Sequence, residues 1–192
     1  MKKRIIIGIS GATGLQYGIR ALELLKEQDV ETHLVVSKAS ELVRTYETDM
    51  KHEELMSMAD VIYPTADVGA AIASGSFKTL GMLIAPCSVK TMSEIASGIT
   101  SSLLSRAADV VLKERRRLVL LFRETPLHLG HLRSMTQVTE MGGIIMPPVP
   151  AFYLRPQTVD EIVTHTVARA LDLFGFDIDV PRWNHDHKAQ LH

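Results

Sequence analysis

Five short segments of the chain are nearly continuous in apolar residues: Arg4–Ile9, Thr32–Val36, Gly81–Ala85, Leu118–Phe122 and Ile144–Met146. Strands covered on both faces read this way, because neither side meets water and no polar alternation is imposed. Between them the period changes. Leu15–Lys26 sets Ile19, Leu22 and Leu25 at helical spacing, and Ser102–Glu114 and Val159–Phe174 predict two further helices. Strands alternating with helices call for right-handed crossovers, so the pattern predicts an α/β fold with a doubly wound, mostly parallel sheet and helices on both faces. Residues 46–58 are polar and acidic and predict a short helix with a loop. Pro147-Pro148-Val149-Pro150 must leave the sheet as an extended segment, since proline cannot donate to a ladder. Met135, Val138 and Met141 lie on one predicted helix, as core or as interface.

No repeat, low-complexity stretch or Pro/Gly/Ser-rich linker divides the pattern, which predicts a single domain over residues 1–192 with a tail from 181 to 192. In that tail His185 and His187 flank Asp186, a setting more typical of solvated surface than of a metal site. At 192 residues, 46% hydrophobic and 22% charged, the chain can bury a full core; a domain of this size hides roughly 70% of its unfolded surface. A single cysteine, Cys87, excludes a disulfide framework and a Cys-rich zinc site. The net charge of -1 and pI near 6.7 give no drive toward nucleic acid or an anionic membrane. Aromatic content of 5% leaves little for a base-stacking platform. The first apolar run stops at Ser10-Gly11, well short of the ~20 residues that span a bilayer and of a signal peptide, so the expected setting is the cytoplasm.

Ligands of open α/β sheets bind beyond the carboxyl ends of the strands, which directs attention to the loops there. Gly8-Ile9-Ser10-Gly11-Ala12-Thr13-Gly14 joins a strand to a helix; its small residues permit close approach, and the helix start offers N–H groups to an anion. A tight turn would need the same glycines. The spacing matches neither the dinucleotide fingerprint nor a Walker loop. The second strand ends in Val36-Ser37-Lys38 rather than in an acidic residue, which suits a flavin mononucleotide or a phosphorylated dinucleotide. In Pro86-Cys87-Ser88-Val89-Lys90-Thr91, Ser88 and Thr91 fit either ligand bonding or helix capping. Cys87 has no base nearby in sequence and reads as a small buried side chain rather than a nucleophile. Ala73-Ser74-Gly75-Ser76 is a further small turn. Arg106 and Lys113 are two turns apart on one helix face with Asp109 between them, a surface ion-pair ladder or an anion site. Arg123 and Glu124 follow an interior strand at the ligand edge, and Tyr153 and Arg169 come later; together they suggest a second anion site beside the first.

Taken together, Gly8 to Gly18, Ala73-Ser74-Gly75-Ser76, Pro86-Cys87-Ser88 with Thr91, Arg106 to Glu114, Arg123-Glu124-Thr125-Pro126-Leu127, His131-Leu132, Pro147-Pro148 and Ala151-Phe152-Tyr153 resemble the flavin prenyltransferases of the UbiX/Pad family. The resemblance runs from residue 4 to Trp183. It implies a Rossmann-like flavoprotein that binds reduced FMN as acceptor and transfers a dimethylallyl group from dimethylallyl phosphate to N5 and then C6. The product, prenylated FMN, would serve a UbiD-type decarboxylase. No metal is implied, and the Asp-Asp-x-x-Asp motif of magnesium-dependent prenyl enzymes is missing from the sequence. Gly11, Ala12, Thr13, Ser37, Ser88, Thr91 and Arg123 would contact FMN. Arg106, Lys113, Tyr153 and Arg169 would hold the prenyl phosphate, with Thr13, Glu47, Lys113 and Glu124 in catalytic roles. The resemblance also implies a large homo-oligomer, a dodecamer, with sites built from more than one subunit.

This chain departs from many relatives in having Thr13 for serine and Val68 where some have an aromatic residue, and residues 46–67 form a shorter stretch than in some members. One alternative is a flavin-dependent cysteine decarboxylase of related fold, although Tyr17-Gly18 and Pro86-Cys87-Ser88 stand where such enzymes place a histidine and an asparagine motif. The other is a non-catalytic flavin carrier, which would have no need of Glu47, Lys113, Glu124 and Arg169 together.

Overall fold

The computed structural model describes residues 2–183, so His185, Asp186 and His187 lie outside the described residues. The strands are β1 (Lys3–Ile9), β2 (Val30–Val36), β3 (Val61–Tyr63), β4 (Gly81–Cys87), β5 (Arg117–Phe122) and β6 (Ile144–Ile145). The helices are α1 (Leu15–Lys26), α2 (Lys38–Glu47), α3 (His52–Met56), α4 (Val89–Ala96), α5 (Leu103–Lys113), α6 (Leu129–Glu140) and α7 (Val159–Asp172). The strands form a six-stranded sheet in the order β3-β2-β1-β4-β5-β6. Each neighbouring pair is parallel.

Every predicted strand is present, and β3 is added. At three residues, with Ile62 exposed, that edge strand has too little apolar sequence to declare itself. The stretch 46–58 holds the end of α2, a loop and the short α3. Strand β6 is only two residues long before the chain leaves toward Pro147-Pro148.

Alternate residues of the strands enter two cores. Ile5, Ile7, Ile9, Leu83, Ala85, Val119 and Leu121 pack against Leu15, Leu22 and Leu25 of α1 and Val163, Val167 and Leu171 of α7. Ile6, Val35, Met82, Ile84, Leu118 and Leu120 pack on the other face against Met92 and Ile95 of α4, several residues of α5, and Val138 of α6. Val138 is therefore core, and Met135 and Met141 pack against that core while partly open. Burial on both faces is the reason the strands read as unbroken apolar runs.

Going outward from β1 to β2 and β3, the chain returns to place β4 on the other side of β1. The crossovers from β1 and β4 thus diverge to opposite faces and leave a crevice above the carboxyl ends of these two strands, the topological switch point of the sheet. Among the described residues, no helix is long and apolar enough to cross a membrane, and no group of three or more His, Cys, Asp or Glu is arranged to hold a metal ion.

Candidate active site at the switch point

The loops after β1 and β4 are stitched together by one buried side chain. Ser10, 1% exposed, donates from Oγ to the Pro86 carbonyl at 3.0 Å and accepts from the Ser88 N–H at 2.7 Å. The Ser10 N–H also reaches the Pro86 carbonyl at 3.2 Å. On one side the Ser37 N–H bonds the Ile9 carbonyl at 2.9 Å, and on the other the Arg123 N–H bonds the Cys87 carbonyl at 3.0 Å. The ends of β1, β2, β4 and β5 therefore share a continuous backbone floor. Gly11 is needed in it because a Cβ there would stand 2.4 Å from the Ala39 Cβ.

Above this floor opens a cleft of about 670 Å³, within the size range of small-molecule and cofactor sites. Gly11, Ala12, Thr13, Ser37, Ser88, Thr91, Arg123 and Glu124 all line it. Ser37 and Ser88 each cap a helix, accepting from the Ser40 and Thr91 N–H groups at the starts of α2 and α4. Each hydroxyl also donates to its neighbour, Ser37 Oγ to Ser40 Oγ at 3.3 Å and Ser88 Oγ to Thr91 Oγ1 at 3.2 Å; capping and ligand contact are compatible because a hydroxyl oxygen has a second lone pair and its hydrogen can rotate to a better acceptor.

The start of α1 is arranged differently. Its N-cap, Gly14, has φ 102° and no capping side chain. Instead Glu47, at the end of α2, turns its carboxylate onto this terminus and accepts from Gly14 N–H at 2.9 Å, from Leu15 N–H at 2.9 Å and from the Thr13 hydroxyl. The anion at this helix end is thus the protein's own, a favourable position for a carboxylate. Two of the N–H groups at this helix start, those of Gly14 and Leu15, are therefore already taken, and the same carboxylate fixes the Thr13 hydroxyl at the rim of the cleft.

Sequence reasoning missed Thr65, which follows β3 and lines the cleft. Its Oγ1 is buried without a hydrogen-bond partner, an unusual state for a buried hydroxyl. No local pattern marks it; its backbone carbonyl is held by Leu103 N–H at 2.9 Å, a contact that exists only in the folded chain. Lys38 and Lys90 add positive charge to the walls. Lys90 pairs with Glu94 at 2.5 Å, and Ser101 donates to the same oxygen at 2.6 Å. Burial raises the Glu94 carboxyl, but these bonds outweigh it and leave the group below its ordinary value. The wall thus combines apolar surface, hydroxyls and cations, a donor set that fits a phosphorylated aromatic group. Cys87 points into the core, and burial pushes its thiol far above the ordinary range, which is the state of an inert cysteine rather than a nucleophile.

Four expected residues lie away from this cleft within the chain. Arg106 pairs with Asp109 at 2.9 Å, Lys113 with Glu114 at 2.6 Å and Arg169 with Asp172. Tyr153 is 50% exposed and meets Trp183 edge-on at 5.1 Å between ring centroids. For Lys113 and Arg169 the reason is directional. Helices α5 and α7 run back against the strands, so Lys113 and Arg169 near their ends lie toward the sheet edge opposite the cleft, as does Arg117 at the start of β5.

The Flavoprotein family model matches residues 1–171. The chain is 60% identical over 184 residues to a flavin prenyltransferase UbiX from Neisseria meningitidis, covering 95% of this chain and 97% of that one. The chain belongs to the UbiX flavin prenyltransferases. A crystal structure of the UbiX protein AnUbiX (PadA1) in complex with FMN and dimethylallyl pyrophosphate matches with a TM-score of 0.94 at 47% identity, over 96% of this chain and 98% of that one. A dodecameric FMN-dependent UbiX-like decarboxylase from Escherichia coli O157:H7 matches with a TM-score of 0.91 at 46% identity, over 94% and 99% of the two chains.

Two outcomes are expected from this geometry. Glu47→Ala removes the acceptor for the α1 terminus and should lower stability by about 1–2 kcal/mol in urea denaturation without ligand; an unchanged midpoint would show that the carboxylate contributes no cap. Cys87 should react with a thiol reagent only as fast as the protein unfolds, and rapid labelling of the native chain would contradict its burial.

Proposed function

We propose that the cleft binds reduced FMN through Gly11, Ala12, Thr13, Ser37, Ser88, Thr91 and Arg123, and that the chain transfers a dimethylallyl group to it from dimethylallyl phosphate. The single observation that supports this reading best is that these residues, drawn from loops far apart in sequence, line one crevice at the switch point. When bound, reduced FMN supplies the nucleophilic N5 and C6 positions and a flat π-surface. The rest of the chemistry falls to the protein.

Phosphate is a poor leaving group, so carbon–oxygen cleavage needs cations already in place where negative charge develops. Arg106, Lys113 and Arg169 supply that charge, and Tyr153 adds a hydrogen-bond donor. They do so from neighbouring subunits. In favour of this arrangement, none of them lines the chain's own cleft, and Tyr153 lies among exposed apolar groups, Phe152 and Trp183. The relative from Escherichia coli O157:H7 is dodecameric. Subunit packing would also close the crevice against water, which an allylic cation requires. Glu124 at the rim holds or passes a proton, and Thr13 with Glu47 orients groups near N5. Product FMN bearing the added ring goes to a UbiD-type decarboxylase, in the cytoplasm. Val68 is 56% exposed and is not part of the cleft wall, so no aromatic face stands there.

The enzyme mixed with reduced FMN and dimethylallyl phosphate should convert the flavin to a species heavier by one five-carbon unit, read by mass and absorption spectra. An unchanged flavin mass would support a carrier, and carbon dioxide released from a cysteine-terminated peptide would support a decarboxylase. Glu124→Gln should leave FMN bound and slow transfer by about 100-fold or more, the usual range for a lost acid–base group; full turnover by that variant would remove Glu124 from the reaction.

A further inference from the structure

The end of α7 holds an ion network that the site as described does not use. Asp172 is 17% exposed in its side chain, against 49% for Arg169 one turn before it. Its Oδ2 accepts from Arg169 Nη1 and, at 2.6 Å, from Arg182 Nη1; its Oδ1 accepts from Arg182 Nη2 at 2.9 Å. Arg182 is itself anchored, donating to the Ile178 carbonyl at 3.1 Å and lying 3.3 Å from the exposed Asp177 carboxylate. The Asp172 carboxyl is held below its ordinary value, first by the hydrogen bond from Arg182 and then by the charges of both arginines.

An ordinary surface ion pair adds little to stability. This one differs in that a single carboxylate is gripped by a two-bonded guanidinium, which fixes its plane before it meets a second guanidinium. Arg169 would otherwise carry several rotatable bonds and lose that freedom whenever it met an anion. Arg182 takes both oxygens of the shared carboxylate and Asp177 lies against Arg182 alone, so Arg169 is held through one oxygen of Asp172 and, at 49% side-chain exposure, keeps its other donors open to an anion.

We propose that Asp172, backed by Arg182, is a positioning residue that sets the Arg169 guanidinium for the phosphate of the prenyl donor. This rests on the reading of Arg169 given above. It adds that the segment after α7, where Arg182 sits, is part of the donor-binding apparatus rather than a passive end of the fold.

Steady-state kinetics of the full-length enzyme, with FMN affinity and thermal midpoint measured alongside, test it. Asp172→Asn should raise KM for dimethylallyl phosphate about tenfold, with FMN affinity unchanged. Asp172→Glu should recover part of that loss. In an Arg169→Ala background, Asp172→Asn should add less than about twofold, because its effect passes through Arg169. Arg182→Ala, which keeps the carboxylate, should raise KM about threefold and serves if Asp172→Asn fails to fold. An unchanged KM in the asparagine and Arg182 variants, or a full additional loss in the Arg169→Ala background, would overturn the positioning role. If Arg169→Ala itself leaves KM unchanged, the assignment of Arg169 to the phosphate fails instead, and the two failures are told apart within the same series.

Discussion

The hydrogen bonds of Ser10 hold together the place on which the rest of the site depends. Two parallel strands that send their chains to opposite faces of a sheet necessarily leave a gap between their ends. A gap is useful only if its floor is fixed. Here one buried hydroxyl donates to the Pro86 carbonyl and accepts from the Ser88 N–H, so the loops after β1 and β4 keep a single spacing. Ser88 in turn caps α4, and the Ser37 N–H ties the start of α2 to the end of β1. The apolar sheet below supplies rigidity and this small polar knot supplies registration.

The charge around the crevice is divided with some economy. Glu47 neutralises the positive end of α1 and fixes Thr13 at the same time. Thr65, Ser37, Ser88, Thr91 and Arg123 then line the wall of the crevice. Placing a carboxylate on one helix start and leaving two hydroxyl-capped starts beside it directs an anion away from α1 and toward α2 and α4.

The second group of cations follows a different rule. A helix that returns along a parallel sheet carries its C-terminal residues to the edge away from the ligand. Lys113 and Arg169 obey this, and each meets a local carboxylate, Glu114 or Asp172. A site that needs both these residues and the crevice is incomplete within one chain. The exposed apolar residues Leu127, Leu129, Leu132, Phe152 and Trp183 are the kind of surface that association of copies would cover.

Local sequence determined the strands that fill the core, the helices α1, α5 and α7, and the loops at the ligand edge, because burial on both faces and helical periodicity are written residue by residue. It also singled out Gly11, Ala12, Thr13, Ser37, Ser88, Thr91, Arg123 and Glu124, which line the crevice, from their places after the strands and from a resemblance of combined motifs. It could not supply β3, whose three residues pair only because β2 is already in place, nor Thr65, brought to the wall by that pairing and by the start of α5. Nor could it tell that the Gly14 and Leu15 N–H groups belong to Glu47, since that contact joins residues more than 30 positions apart. Whether a hydroxyl caps, binds or does both, and whether a cation faces its own cleft or another, is decided by the direction in which the elements run, which exists only once the sheet has formed.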